Sequence, residues 1–252
     1  MTILTSRSGP VTTITIDRPE RRNAVDDATA ISLRQAFEDF EQDGAAGVAV
    51  LTGAGETFCA GYDLKAFSEA GAAYDPEGEG PMGPTRRLLS KPVIAAVEGH
   101  AVAGGLELAL WCDLRVAAAG AVFGVFCRRW GVPLIDGGTV RLPRLIGQGR
   151  ALDMILTGRA VGAEEARAIG LADRVVANGE ALATAQGLAL EIASHPSLCL
   201  RIDRESTYRG FDADLETALR REGVAGAAAV RDGAREGASR FAAGAGRGGR
   251  TD

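Results

Sequence analysis

The residues that could do chemistry gather in one stretch, 91–115, KPVIAAVEGHAVAGGLELALWCDLR. It opens as a strand: Val93, Ile94, Ala95, Ala96 and Val97 form an apolar run of strand length between Pro92 and Gly99. After Gly104 and Gly105 the apolar spacing becomes helical, and Leu106, Leu108, Ala109, Leu110 and Cys112 come close to covering the helix all round. A strand that feeds a glycine turn and then a buried helix points free backbone N–H groups at whatever lies in front of it. Such donors can hold an oxygen that becomes negative. A carboxylate interrupts the apolar helix: Glu107, three residues after Gly104 and so on the same face about one turn on. A carboxyl group in that place could move a proton beside the donors. Close packing at the glycines, with Glu107 merely complementing the helix dipole, is the plainer reading of the same residues. The surrounding segments decide between the two.

A second glycine turn stands at Gly61, in FCAGYDL over 58–64. Gly53 and Gly55, which follow a strand pattern, could open a dinucleotide fingerprint. However, Phe58 stands where its third glycine belongs, and no acidic residue ends a next strand about 20 residues on. Cys59, Cys112, Cys127 and Cys199 lack metal-ligand spacing, so no metal is expected. His100 and His195 read as structural.

The composition fits a globular enzyme: 252 residues, 46% hydrophobic and 24% charged, with a net charge of −5. That charge argues against a nucleic-acid partner. No apolar run approaches the roughly 20 residues of a membrane span, so no membrane partner is expected. The opening stretch reads directly as a strand rather than as an apolar leader, and a cytoplasmic, reduced setting is the expectation.

Several elements must position these residues. Val11 to Ile16 alternate as a first strand, and Ala30, Leu33, Phe37 and Phe40 mark one face of a helix that starts near Asn23–Asp27. GVAVLT over 47–52 is a short buried strand. Residues 68–85, rich in Gly, Pro and Ala, read as a loop. A strand is expected over 116–123, and an irregular crossing segment from Phe123 to Gly147. Helices are expected over 149–157, 163–169 and 179–194, with a strand over 171–176. Helices alone follow over 196–243. The division expected is a core over 1–195, a helical region over 196–243 and a disordered tail over 244–252.

Five segments together resemble the crotonase, or enoyl-CoA hydratase/isomerase, superfamily. They are RPERRNAV at 18–25, FCAGYDL at 58–64, KPVIAAVEGHAVAGGLELALWCDLRVA at 91–117, GGTVRLPRLIG at 137–147 and LTGRAVGAEEARAIGLADRVV at 156–176. The resemblance implies an α/β fold built as a spiral of ββα repeats, with a C-terminal helical region used in trimerisation, and hence a homotrimer or homohexamer. It implies an acyl-CoA thioester substrate, with coenzyme A arriving as part of the substrate and no permanently bound cofactor. It assigns the oxyanion hole to the amides of Ala60 and Gly104, and the first catalytic carboxylate to Glu107. Where the typical hydratase carries its second Glu, this chain has Cys127. Asp136 stands close to the catalytic Asp of the dienoyl-CoA isomerase and aryl-CoA dehalogenase branches, although it also fits a loop residue capping the turn at Gly137 and Gly138. The pair expected is therefore Glu107 and Asp136, facing each other across the substrate. Candidate contacts to substrate and CoA are Arg21, Arg22, Ala24, Gly61, Tyr62, Asp63, Leu64, Lys65, Gly105, Cys127, Trp130 and Pro133. An enoyl-CoA hydratase/isomerase is the expected activity. The alternatives are a (dienoyl-)CoA isomerase, an Asp-dependent hydrolase or dehalogenase-like enzyme and, in another class, a CoA-thioester-binding protein with little turnover.

Overall fold

A six-stranded sheet carries the core. β1 (Ile3–Ser8) pairs antiparallel with β2 (Val11–Ile16). After α1 (Asp27–Gln42), β3 (Val48–Gly53) joins parallel to β2. Every residue of β3 is buried, as expected of a parallel strand covered on both faces. The computed structural model describes residues 2–70 and 74–244. α2 (Leu64–Ala70) runs into the segment 68–85 read as a loop, of which 71–73 lie outside the described residues.

The apolar run after Pro92 forms β4 (Val93–Val97), fully buried and parallel to β3. The chain then leaves the large sheet. β5 (His100–Val102) belongs to a second, three-stranded sheet, and α3 (Gly104–Trp111) follows at once. β6 (Leu114–Ala118) returns to the large sheet beside β4, and β7 (Val122–Gly124) pairs with β5. α4 (Gly138–Ile146) and α5 (Gln148–Thr157) come next. β8 (Ala160–Gly162) completes the small sheet antiparallel to β7. α6 (Ala163–Ala168) leads to β9 (Arg174–Val176), the last strand of the large sheet, and then to α7 (Ala181–Ala193). The unit of strand, strand and helix thus recurs. It appears even where β3 is followed only by a single bridge from Cys59 to Ala101 before α2.

Three expectations change. The segment 116–123 is not one strand: β6 ends at Ala118, the Ala121 N–H closes a turn on the Ala118 carbonyl at 2.9 Å, and β7 starts in the other sheet. The expected strand over 171–176 is confined to Arg174–Val176, because the amides of Leu171 and Ala172 both donate to the Ala166 carbonyl and cap α6. The segment expected to be irregular holds a 3-10 turn, Phe126–Trp130, as well as α4.

α1 shows how the sequence pattern becomes packing. Asp26 caps it by accepting from the Thr29 amide at 2.9 Å. Leu33, Phe37 and Phe40 are buried, with the Phe37 ring edge-on to Phe40 and Trp111 at 6.5 and 4.7 Å. Lys91, buried, donates to the Phe40 and Asp43 carbonyls at 2.7 Å each and satisfies the C-terminal end of the helix. Arg115 is also buried. It bonds the Leu171 and Cys112 carbonyls at 2.7 and 2.9 Å and pairs with Asp173 at 2.8 Å. Phe37→Ala removes a ring from this closed cluster and is expected to cost about 3–5 kcal/mol, read as a lower urea midpoint with unchanged slope.

The chain divides into two compact units at Ile192–Ala193. In the second lie α8 (Ser197–Gly210), α9 (Leu215–Ala229) and α10 (Arg235–Ala242). None of these three helices has a fully buried residue, and Phe211, Leu215, Val224 and Phe241 are exposed. Of the expected tail, 245–252 lie outside the described residues. Among the described residues no helix is long and apolar enough to cross a membrane.

Candidate active site

A cavity of about 490 Å³ opens in the first unit. The loop before α2 supplies Ala60 and Tyr62 to its lining, α2 supplies Leu64, the start of α3 supplies Gly104 and Glu107, and the stretch 126–136 supplies Cys127, Trp130, Pro133 and Asp136. Tyr74 and Met82 close it from the segment before β4.

The two glycine turns meet here. Gly61 has φ +99, and a Cβ on it would lie 2.9 Å from both the Gly104 amide nitrogen and the Ala103 side chain. Only glycine permits that approach. Ala103 itself sits at φ 54, ψ −125, a conformation alanine rarely adopts, held by its N–H on the Gly124 carbonyl at 2.8 Å. The strained residue starts α3, and the Gly104 N–H, first of the helix, has no acceptor among the described residues.

The second donor assigned from the resemblance requires correction. The Ala60 N–H donates to the Arg22 carbonyl at 3.0 Å and is not free for a ligand. Tyr62 bridges Val25 in parallel: the Val25 amide bonds the Gly61 carbonyl, and the Asp63 amide bonds the Val25 carbonyl, each at 2.8 Å. In a parallel bridge of this kind the central residue turns its own N–H to the other side. Among the described residues the Tyr62 amide has no acceptor, so Tyr62, two residues from the one expected, carries the open amide of this loop.

The two carboxylates are neighbours rather than opposed walls. Glu107 Oε1 accepts from the amides of Asp136 and Gly138, each at 2.9 Å. A Cβ at Gly138 would come within 3.0 Å of Glu107 Cγ and Oε1, so this glycine lets the loop close on the acid. Asp136 does not cap its own turn. Its Oδ1 accepts from the Met82 amide at 3.0 Å and from the Thr85 hydroxyl, both in a remote segment. Among the described residues Glu107 Oε2 and Asp136 Oδ2 have no hydrogen-bond partner. Burial, reinforced by the Asp136 charge, pushes the Glu107 carboxyl up to about 7 against the two amide donors. Burial also raises Asp136, opposed by its bonds to Thr85 and Met82 and by the charges of Arg86 and Arg141. The Cys127 thiol lines the cavity and is raised by burial and by Glu107, so it stays protonated.

Other expected contacts sit elsewhere. Arg21, Arg22 and Lys65 are exposed and do not line the cavity. Ala24 uses its carbonyl to hold Arg18. The Asp63 side chain caps α2 through the amides of Lys65 and Ala66 at 3.1 and 3.3 Å and pairs with Arg18 at 3.3 Å. Gly105 packs on the Cys59 carbonyl, where a Cβ would not fit. Tyr62 donates its hydroxyl to Asp27. Trp130, 72% exposed, stands at the rim.

Sequence reasoning passed over several residues that shape the site. Asn23, at φ 55, accepts from the Arg18 amide at 2.9 Å and donates to the Ala54 carbonyl at 2.9 Å, which folds the RPERRNAV segment against the loop after β3. Its presence in a quoted motif was the available signal. Met82, Thr85, Arg86 and Arg141 gave none, since their partners lie far away in sequence.

The sequence profile of the enoyl-CoA hydratase/isomerase family matches residues 6–243. A carnitinyl-CoA dehydratase of Salmonella arizonae is 39% identical over 218 residues, covering 85% of this chain and 83% of that protein. A short-chain-enoyl-CoA hydratase of Clostridium acetobutylicum is 37% identical over 224 residues, covering 86% and 85%. Among solved structures, an enoyl-CoA hydratase from Mycobacterium marinum superposes with a TM-score of 0.90 at 35% identity, over 96% of this chain and 95% of that one. One from Mycobacterium tuberculosis H37Rv also reaches a TM-score of 0.90, at 36% identity over the same shares. With a match that spans nearly the whole chain and a fold that agrees throughout, this protein belongs to the enoyl-CoA hydratase/isomerase family.

Proposed function

We propose that this chain adds water across the double bond of an α,β-unsaturated acyl-CoA thioester. The supporting observation is the meeting, in one cavity, of two backbone donors without an acceptor among the described residues, Tyr62 and Gly104, with two carboxylates that each keep one oxygen free of those residues. The thioester oxygen lies between the two N–H groups, which stabilise it as charge moves onto it. Asp136, ionised, takes a proton from water while the water oxygen bonds the β-carbon. The double-bond pair moves into the enolate. Glu107, which holds a proton near neutrality, delivers it to the α-carbon. Cys127 stands at the second-Glu position of the family resemblance and takes no proton. Coenzyme A enters as part of the substrate and no resident cofactor is needed.

A second reading uses the same pair to shift a double bond, with Asp136 removing one carbon-bound proton and Glu107 returning one elsewhere on the chain. The thiol at Cys127, where a second water-holding carboxylate would be expected, favours it. Product identity from a panel of enoyl-, dienoyl- and aryl-CoA thioesters separates the two: a 3-hydroxyacyl product supports hydration, a displaced double bond supports isomerisation. Coenzyme A thioester binding without any product would overturn both. For assembly we propose a homotrimer or homohexamer in the cytoplasm, for which the exposed apolar positions of α8–α10 speak. A monomer by light scattering at micromolar concentration contradicts it.

The assignment sets a pH dependence. Glu107 must be protonated to donate, so kcat/KM falls as pH rises through about 7. Asp136 must be ionised to accept, so the rate also falls at low pH. A profile flat from pH 6 to 9 would remove Glu107 as the proton donor.

A further inference from the structure

Asp136 is held by residues from outside its own loop. The Met82 amide and the Thr85 hydroxyl both bond its Oδ1, and Thr85 lies 51 residues earlier in the chain. Thr85 and Asp136 are both buried, at 1% and 2% exposure. Gly80 is so close that a Cβ there would collide with Thr85 Oγ1 and Asp136 Oδ1. Two guanidinium groups tie the segments together. Arg141 of α4 donates to the Thr85 carbonyl at 2.7 Å and to the Asp136 carbonyl at 2.9 Å. Arg86 donates to the Gly78 and Ile135 carbonyls at 2.6 and 3.4 Å and to the Tyr74 hydroxyl at 2.9 Å. The Met82 and Thr85 bonds hold Oδ1 of the Asp136 carboxyl group, the arginine bonds hold the backbone around it, and among the described residues Oδ2 has no hydrogen-bond partner.

We propose that Thr85 is a positioning residue for the proton acceptor: its hydroxyl locks Oδ1 of Asp136 so that Oδ2 alone is presented to the substrate. The inference rests on the reading of Asp136 as the acceptor. The carboxyl torsion of an aspartate is broad, and one amide donor from Met82 does not by itself define it. A second donor on the same oxygen fixes the orientation and favours the ionised form. The other ionisable groups that face Asp136 are Glu107 from α3, Arg86 from the preceding segment, Arg141 from α4 and, beyond Glu107, Cys127 from the turn after β7. Glu107 raises the cost of ionising Asp136. The two arginines lower it through their charge while also donating to backbone carbonyls and, from Arg86, to the Tyr74 hydroxyl. Thr85 is the side chain that donates to it.

The test uses the full chain as Thr85→Val and Thr85→Ser, with two readouts: the pH profile of turnover on an enoyl-CoA, and the ¹³C titration of the Asp136 carboxyl, assigned with Asp136→Asn. In Thr85→Val the acid limb of kcat/KM and the Asp136 midpoint are both expected to rise by about one pH unit. Its kcat should fall about tenfold with KM within about twofold, since a general base contributes far more than that when fully lost. Thr85→Ser keeps the donor and restores both readouts. Should Thr85→Val not fold, Thr85→Ala takes its place. An unchanged Asp136 midpoint, or a Thr85→Ser variant as impaired as Thr85→Val, overturns the proposal. If the wild-type chain turns over no CoA thioester, the functional reading falls by itself, and the carboxyl titration still decides whether Thr85 sets Asp136.

Discussion

Glu107→Gln is expected to lower kcat by about 10²–10⁴-fold, with Asp136→Asn in the same range and Cys127→Ala within a few-fold of wild type. The reason lies in how each group is held. Glutamine can keep Oε1 as the acceptor for the amides of Asp136 and Gly138, so the loop stays closed on α3 while the transferable proton is lost. Asparagine can likewise keep its oxygen on Met82 and Thr85. The thiol of Cys127, raised by burial, keeps its proton near neutral pH and neither gives nor takes one there. A stability readout accompanies the kinetic one. The Glu107 carboxyl is raised in the folded chain, to about 7, above its ordinary value of 4.5. Between those values the folded state binds more protons than the unfolded one, so the wild type loses stability as pH rises from about 4.5 to 7. Glu107→Gln, which has no charge to bury, should therefore gain on wild type by about 1–3 kcal/mol at pH 8, and by little at pH 4.5. Equal urea midpoints for the two proteins at pH 8 would show that the acid is not buried at a cost. A damaging Cys127→Ala would move the chemistry to the thiol.

Deleting one backbone donor should come next in size. Replacing Tyr62 by its α-hydroxy analogue turns its amide into an ester and removes the N–H while the side chain stays. The expected loss in kcat is about 10²–10³-fold, as for other oxyanion donors. The same replacement at Ala60 should leave kcat within a few-fold and cost about 1 kcal/mol of stability, because that N–H serves the Arg22 carbonyl and never meets the ligand. Backbone exchange is preferable to a side-chain change at Gly104, where any Cβ would strike Met82 Sδ at 2.5 Å and confound the result. If the Ala60 ester is the inactive one, the donor pair is Ala60 and Gly104 after all.

The sequence by itself determined the local elements and the family. The apolar run 93–97, the glycines at 104 and 105 and the lone carboxylate at 107 dictate a buried strand, a turn and a buried helix, because each rests on periodicity within a few residues. The pairing of FCAGYDL with that stretch was legible from the motifs, and Gly61 meets Gly104 in the structure. What the sequence left open depended on direction and distance. Which amide of the loop stays open depends on the acceptors that packing brings to it: the Arg22 carbonyl takes the Ala60 N–H, while the bridge to Val25 uses the residues on either side of Tyr62, and no pattern in FCAGYDL encodes either. The run 116–123 reads as one strand because it is uncharged and apolar throughout; it is two, since the ββα repeat sends the chain from one sheet to the other at Gly120. The setting of Asp136 was the least legible. A lone Asp before two glycines looks like a turn cap, and its actual partners, Met82 and Thr85, come from a segment with little periodicity. Only tertiary packing brings them within hydrogen-bond reach, and with them the different sets of partners around the two carboxyl groups on which the proposed division into proton donor and acceptor rests.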